Sequence, residues 1–291
     1  MESGPLFRWS KRVPEKEVET WENRLTIEGL PYVVEKAVGR ERWQFNVYGG
    51  DRDELDSLRH RLGGGVVRVR PEDWQPTASD EPVRLKIRDR LLVVEETETE
   101  DLARLGMEFP GREILSFPPQ MAFGTGGHQT TATCLRQLVD ETETLTPGEW
   151  NLLDLGCGSG ILAIAGARLG AKAVTAIEND LLASDVARTN AERHGVSDRV
   201  TFIEGDAIGW TGQAGRSGRR FNIVAANLFS DLLVELMPNV PDALASEGRV
   251  IVSGFLTTQA KAVHQAARDA GIDLFNFVRR GKWVTAVGRH S

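Results

Sequence analysis

The chain passes from a short apolar run, Trp150 to Leu155, through Gly156-Cys157-Gly158-Ser159-Gly160 into an apolar helical pattern, Ile161 to Leu169. Three glycines at alternate positions let the backbone turn sharply from strand to helix, and strand-glycine-helix units of this kind build α/β folds. Their missing Cβ atoms let a ligand approach the main chain, and the free N–H groups of the following helix point into the same space. An acidic residue, Glu178, ends the next β-rich run, Ala173-Val174-Thr175-Ala176-Ile177. A carboxylate there is placed to accept hydrogen bonds from both hydroxyls of a ribose. The two features together predict a cradle for a nucleoside cofactor; the plainer alternative is a tight turn with no ligand.

The glycine spacing narrows the cofactor. A dinucleotide fingerprint needs G-x-G-x-x-G, and Ile161 occupies the place of its third glycine. G-x-G-x-G with an acidic residue, here Asp154, four places before the second glycine resembles the loop of S-adenosylmethionine-dependent methyltransferases, which have no pyrophosphate to bind. Strand candidates at Asn151 to Leu155, Ala173 to Glu178, Val200 to Glu204, Phe221 to Ala226 and Arg249 to Ser253 alternate with helical patterns such as Leu181 to His194 and Thr258 to Ala270. Such alternation makes a parallel sheet covered on both faces. Asp273 to Arg279 and Trp283 to Gly288 are joined by only Arg280-Gly281-Lys282, so they form an antiparallel hairpin. Five parallel strands and a terminal hairpin give the seven-strand arrangement of Rossmann-like methyltransferases, expected here over residues 117–291.

The first 70 residues read as a separate small α+β domain. Phe7 to Val13 forms a strand; Val18, Trp21 and Leu25 recur at helical spacing; Tyr32 to Val38 is β-rich; and Trp43, Phe45 and Val47 alternate. A helix from Asp51 carries Leu55, Leu58 and Leu62 on one face, and Val66 to Val69 completes β-α-β-β-α-β, the order of the ferredoxin-like fold. Residues 71–116 read as a linker with short strands at Arg84 to Ile87 and Leu91 to Val94. The acidic stretch Glu95 to Asp101 reads as a solvated loop.

Composition limits the function classes. A chain of 291 residues, 41% hydrophobic, holds one large or two ordinary domains with a proper core. A net charge of -7 argues against a broad nucleic-acid-binding face, and no stable nucleic-acid binding is expected. Two cysteines, Cys134 and Cys157, make neither a disulfide framework nor a zinc site, and the five histidines lack ligand spacing, so no metal is expected. Met1 to Val13 lacks the apolar stretch of a signal peptide, and no run spans a bilayer. A cytoplasmic protein is expected; the oligomeric state is not legible.

Three motifs in order, Ala122-Phe123-Gly124-Thr125-Gly126-Gly127-His128-Gln129-Thr130-Thr131, Asp154 to Gly160 with Ile161-Leu162-Ala163-Ile164-Ala165, and Ala225-Ala226-Asn227-Leu228, resemble the ribosomal protein L11 methyltransferase family over most of residues 84–291. The resemblance extends more loosely to the amino-terminal unit, where that family has a ferredoxin-like domain that holds its protein substrate. Gln129 stands where the family usually has Pro, Phe117-Pro118-Pro119-Gln120 replaces a stretch that usually reads with an Asp before Pro-Gly, and Glu178 replaces a more usual Asp. The resemblance implies S-adenosylmethionine as cofactor, ribosomal protein L11 as substrate and partner, and Thr131 as a cofactor-binding position.

The cofactor-binding candidates are therefore Thr131, Gly156, Gly158, Gly160, Glu178, Asp206 and Asn227. Thr130 and Thr131 fall in the first turn of a helix, where a hydroxyl and free N–H groups can meet the methionine end of the cofactor or simply cap the helix. Asp206, after the third strand, is placed to accept from an adenine amino group or to close a surface turn. Asn227 is the catalytic candidate. At the carboxyl edge of the sheet its amide, with neighbouring carbonyls, can orient a substrate amine toward a sulfonium methyl; the alternative is a cap on the next helix. Asn227-Leu228-Phe229 is reminiscent of the Asn-Pro-Pro-aromatic box of amine methylators without its prolines. No dedicated base is evident: His128 is a pocket candidate that more readily packs within its loop, and Cys157 is a small residue in a tight turn. Arg216, Arg219 and Arg220 lie in a basic segment, Gly212 to Arg220, that reads either as a flexible loop able to touch ribosomal RNA or as a plain exposed loop before a strand, and Trp9, Trp21 and Trp43 offer either core or docking surface. The expected activity is methyl transfer from S-adenosylmethionine to lysine or N-terminal amines of L11. Two other readings stand beside it: an amine methyltransferase acting on another protein or nucleic acid, and a non-catalytic cofactor-binding module.

Overall fold

The computed structural model describes residues 6–27, 32–36, 42–49, 51–69, 84–118 and 128–291. The chain divides into two compact units, Met1–Asp80 and Glu81–Ser291.

In the first unit β1 (Leu6–Pro14), α1 (Val18–Ile27), β2 (Val33–Lys36), β3 (Arg42–Gly49), α2 (Arg52–Leu62) and β4 (Gly65–Val69) follow in the expected order. The sheet runs β2-β3-β1-β4, and β1 pairs antiparallel with both β3 and β4, which is ferredoxin-like topology. Asp51 starts α2 by accepting a hydrogen bond from Asp53 N at 2.8 Å. Leu55, Leu58 and Leu62 then fall on one helical face and close a core with Trp9, Phe45 and Val47. Trp9 is fully buried, whereas Trp21 and Trp43 are half-buried against that core. Lys11 and Arg24 lie over the Trp21 ring.

The second unit opens with β5 (Arg84–Ile87), β6 (Leu91–Val94), α3 (Thr99–Glu108) and β7 (Glu113–Ser116), in which the three strands form their own sheet, β5-β6-β7. These strands are not bystanders, since Ile87, Leu91, Val93 and Leu115 belong to the main core of the larger unit. The solvated loop expected over Glu95 to Asp101 ends early, because α3 begins at Thr99 and buries Leu105 beside Leu92 and Val94. An amphipathic repeat beyond the acidic run, Leu102 and Leu105, drives that helix. Residues 70–83, most of the expected linker's first part, lie outside the described residues.

The remainder runs α4 (Gln129–Thr142), β8 (Asn151–Leu155), α5 (Ile161–Arg168), β9 (Ala173–Glu178), α6 (Leu181–Arg193), β10 (Val200–Glu204), α7 (Ala207–Arg216), β11 (Phe221–Asn227), α8 (Ser230–Leu236), α9 (Val240–Ala243), β12 (Leu244–Leu256), α10 (Ala260–Asp269), β13 (Ile272–Arg280) and β14 (Trp283–His290). The seven-stranded sheet has the order β10-β9-β8-β11-β12-β14-β13. The first five strands are parallel and β14 is antiparallel to both neighbours, as the short 280–282 connection demands. Two apolar layers sandwich the sheet, one under α4 and α5, the other under α8 and α10. The chain steps from β8 outward through β9 to β10, then returns to β11 on the other side of β8, so strand order reverses between β8 and β11. Open α/β sheets bind ligands in the crevice at such a reversal, beyond the carboxyl ends of the strands. The segment expected as a basic loop, Gly212 to Arg220, is helical through Arg216, with Asp206 as its N-cap. Gly215 is there for packing, because a Cβ on it would lie 2.5 Å from Cβ of Asp242.

Candidate active site

Leu155 ends β8 between two strands whose own ends carry Glu178 and Asn227. Gly156, Gly158 and Gly160 take left-handed φ angles of 69°, 52° and 80°, so the loop reverses direction at every second residue. The first glycine does more than turn. A Cβ on Gly156 would lie 2.4 Å from Cδ2 of Leu228, the residue after Asn227. The space expected for a ligand beside Gly156 is taken by the protein's own side chain, and that contact sets the β11 end against the glycine loop.

Glu178 braces the same loop. One carboxylate oxygen accepts from Gly158 N at 2.8 Å, the other from Asn179 N at 3.0 Å and Asp180 N at 3.1 Å. A carboxylate has about four lone-pair sites, so three backbone donors leave it little spare capacity for ribose hydroxyls. Asp154, one strand inward and only 1% exposed, accepts from Ala163 N at 2.9 Å. Burial pushes its carboxyl up to about 7, with the nearby Glu178 charge adding to the rise and the Ala163 bond opposing it. In the sequence Asp154 stands out only as a motif position; its buried acid, tied to the first turn of α5, is a feature that no spacing rule announces.

Asn227 is half-buried and, among the described residues, its side chain has no hydrogen-bond partner. The capping alternative does not hold. The N-cap of α8 is Phe229, which makes no side-chain cap bond, and Phe229 is 72% exposed. Leu228 N donates to Ser253 O at 3.0 Å, which holds the segment after Asn227 onto β12. Asp206, by contrast, is a helix cap: its two carboxylate oxygens accept from Ile208 N at 3.1 Å and Gly209 N at 2.7 Å.

Residues 119–127 lie outside the described residues, so of the Ala122 to Thr131 motif only His128 to Thr131 is placed. His128 caps α4: its Nδ1 accepts from Thr130 N at 3.3 Å and lies 2.7 Å from Thr130 Oγ1. The imidazole packs edge-on against Trp283, and burial, helped by the Lys282 charge, lowers its pKa. Thr130 is therefore the capping partner, while Thr131, 1% exposed, keeps a buried Oγ1 with no hydrogen-bond partner among the described residues. A hydroxyl in that position costs stability unless something pairs with it. An unpartnered hydroxyl, a glycine turn and an unengaged amide beside a strand reversal fit a polar cofactor with a charged tail. Cys157 is buried, and burial raises its thiol pKa, which makes it a poor nucleophile. Among the described residues no group of three metal-ligating side chains occurs, and no helix is long and apolar enough to cross a membrane.

The seven-strand sheet, its reversal point and the glycine loop define a Rossmann-like S-adenosylmethionine-dependent methyltransferase. The family model described as Ribosomal protein L11 methyltransferase (PrmA) matches residues 35–291. The chain belongs to the ribosomal protein L11 methyltransferase family. It is 38% identical to the ribosomal protein L11 methyltransferase of Symbiobacterium thermophilum over 238 residues, 79% of this chain and 71% of that one. It is 35% identical to that of Desulforapulum autotrophicum over 178 residues, 61% of this chain and 56% of that one. The crystal structure of a ribosomal protein L11 methylase from Lactobacillus delbrueckii subsp. bulgaricus superposes with a TM-score of 0.58 at 25% identity, covering 71% of this chain and 98% of that one.

Proposed function

We propose that this chain transfers methyl groups from S-adenosylmethionine to lysine side-chain or N-terminal amines of ribosomal protein L11. The observation that carries the reading is Asn227, whose amide ends β11 at the strand reversal with its hydrogen-bonding capacity uncommitted among the described residues. The cofactor supplies a methyl group on a sulfonium, which leaves as a neutral thioether. The protein's task is then chiefly positioning. Asn227 accepts hydrogen bonds from the incoming amine and aims its lone pair; Leu228, pinned to Ser253 O and packed on Gly156, keeps that amide in register with the glycine loop. Gly156, Gly158 and Gly160 shape the cradle, Glu178 holds it, and the buried Thr131 hydroxyl meets the polar tail of the cofactor. Asp206 belongs to the adenine side through the N-terminus it caps, more than through its engaged carboxylate.

A lysine amine, with an ordinary pKa of about 10.4, must shed a proton before it attacks. His128 is held as a cap by Thr130 and stays neutral, so it positions the start of α4 and the proton leaves to solvent. The compact amino-terminal unit presents the protein substrate. The test is transfer of labelled methyl from S-adenosylmethionine to L11, with sites mapped by mass spectrometry, for the full chain, Asn227→Ala and a chain starting at Glu81. Label on L11 amines that disappears in both variants supports the reading. Label on other proteins or on RNA but not on L11 moves the substrate, and cofactor binding with no label anywhere leaves a non-catalytic binding module.

A further inference from the structure

Gln129, Arg136 and Asp140 stand along one face of α4, two turns and then one turn apart. Both ends of that row meet another element. At its start, Oε1 of Gln129 lies against the β13–β14 hairpin tip, where a Cβ on Gly281 would stand 3.4 Å from it. At its end, Asp140 accepts two hydrogen bonds from Arg88, in the turn between β5 and β6, at 2.7 Å from Nε and 2.6 Å from Nη2. Between the two, Asn276 of β13 donates to Gln137, the neighbour of Arg136, at 2.7 Å. Arg136 thus stands between the hairpin that carries Arg280 and the turn that carries Arg88. It is half-buried, and none of the described residues gives its guanidinium a hydrogen bond or an ion pair. The exposed Arg280 guanidinium lacks an ion pair on the same terms. The carboxylate on the row is taken by Arg88, and Glu141, next along the helix, faces Arg249 at 3.3 Å. Burial first, then the like charges of Arg280 and Arg88, lower the Arg136 pKa. The Asp140 hydrogen bond raises the Arg88 pKa, against burial, and the Glu143 charge adds to the rise.

We propose that Arg136, with Arg280 and Arg88 on either side, forms an anion site for a phosphate group, separate from the methyl-transfer site. Three guanidiniums face two acids, Asp140 and Glu143, so the cluster is positive. The whole chain carries a net charge of -7, so this concentration of positive charge is local and does not follow from composition. Drawing a guanidinium part-way out of water beside two of its own kind opposes folding, and no free acid among the described residues offsets it. An arriving anion does. Arginine suits phosphate because its planar fork presents two parallel N–H donors at once. Arg136 offers its whole fork, while Arg88 spends Nε and Nη2 on Asp140 and keeps Nη1. The row from Gln129 to Asp140 is about 16 Å long, which admits one free phosphate or successive phosphates of an RNA strand. Phosphate of either origin meets the same donors. None of the three arginines belongs to the cofactor site, so the inference stands whatever the methyl acceptor is.

The experiment is thermal unfolding of the full chain in low-salt buffer with added sodium phosphate, against sodium chloride at equal ionic strength, for wild type, Arg136→Gln and Arg136→Lys. Phosphate at about tenfold its Kd is expected to raise the wild-type melting temperature by about 2–5 °C over chloride. Arg136→Gln is expected to lose that rise, and Arg136→Lys, which keeps the charge without the fork, to keep about half of it or less. In chloride, Arg136→Gln should melt at or above the wild-type temperature, because it removes a cation that has no partner. A fall there makes Arg136 a structural residue and overturns the proposal. An equal phosphate effect in wild type and Arg136→Gln, no effect in either, or stabilisation by a polyglutamate peptide without any by phosphate overturns it too. Fluorescence anisotropy with a short labelled single-stranded RNA then identifies the source. RNA binding that falls with salt and weakens about tenfold in Arg136→Gln and in Arg280→Gln makes the ligand a nucleic-acid backbone. Phosphate stabilisation without RNA binding makes it a small phosphate.

Discussion

Glu178 and Asn227 end the strands on either side of β8, beside the same glycine loop, yet they are treated in opposite ways. Three backbone N–H groups occupy the Glu178 carboxylate, whereas the Asn227 amide has no hydrogen-bond partner among the described residues. The first is spent on holding shape; the second keeps its polar atoms for something that arrives. A site that aligns a methyl donor with its acceptor needs both, because rigid walls without an uncommitted amide would only bind, and an amide on a loose loop would not aim.

Removing the uncommitted member should have the largest effect. Asn227→Ala is expected to lower kcat for methyl transfer by about a hundredfold or more, with the melting temperature little changed, since no side-chain hydrogen bond is lost. A fall in melting temperature matching the loss of rate would make Asn227 structural. Removing the braced member should reverse that pattern. Glu178→Ala strands three backbone donors and is expected to cost about 2–4 kcal/mol in urea denaturation, with cofactor affinity falling alongside. Gly156→Ala attacks the contact between the two, forcing Leu228 aside at a left-handed φ, and is expected to cost about 1–3 kcal/mol and to lower kcat more than cofactor affinity.

The smaller predictions concern buried polar groups behind the loop. The Asp154 carboxyl is raised to about 7 in the fold, above its ordinary value, so the fold favours its protonated form. Its contribution to stability is fully present below about pH 4 and is lost as pH rises toward 7. Asp154→Asn, which keeps an oxygen for Ala163 N, should therefore gain stability relative to wild type on going from pH 5 to pH 8. A constant difference in denaturation midpoint would contradict the raised pKa. Thr131→Val removes an unpartnered hydroxyl and should leave stability unchanged or slightly higher while weakening cofactor binding about threefold to tenfold. Unaltered binding would remove Thr131 from the site.

Most of this architecture is legible in the sequence because period and punctuation agree. The apolar run before the glycine loop marks β8, the run ending at Glu178 marks β9, the three-residue link 280–282 requires the hairpin of β13 and β14, and the helix from Asp51 shows its cap and its leucine face. The family is legible in motifs that stand at strand ends. The features that escape depend on long-range packing. Helix α3 hides behind an acidic run, and Gly212 and Gly215 look like flexible loop although their lack of side chains lets α7 pack against Asn239 and Asp242. Arg136 and Asp140 carry an i, i+4 spacing that suits a helical ion pair, and only the approach of Arg88, 52 positions away from Asp140, takes that partner from Arg136. The absent Cβ of Gly156 announces open space, but which side chain fills it depends on where β11 lies.

Both native thiols are withdrawn from solvent chemistry: Cys134 is buried with its pKa pushed up to about 12, and Cys157 is buried with its pKa raised as well. Alkylating reagents need exposed thiolate. The folded chain is thus nearly silent toward maleimides, so one cysteine placed at exposed Leu182 or Phe229 can carry a fluorophore to the rim of the site without first stripping the protein of its own sulfur.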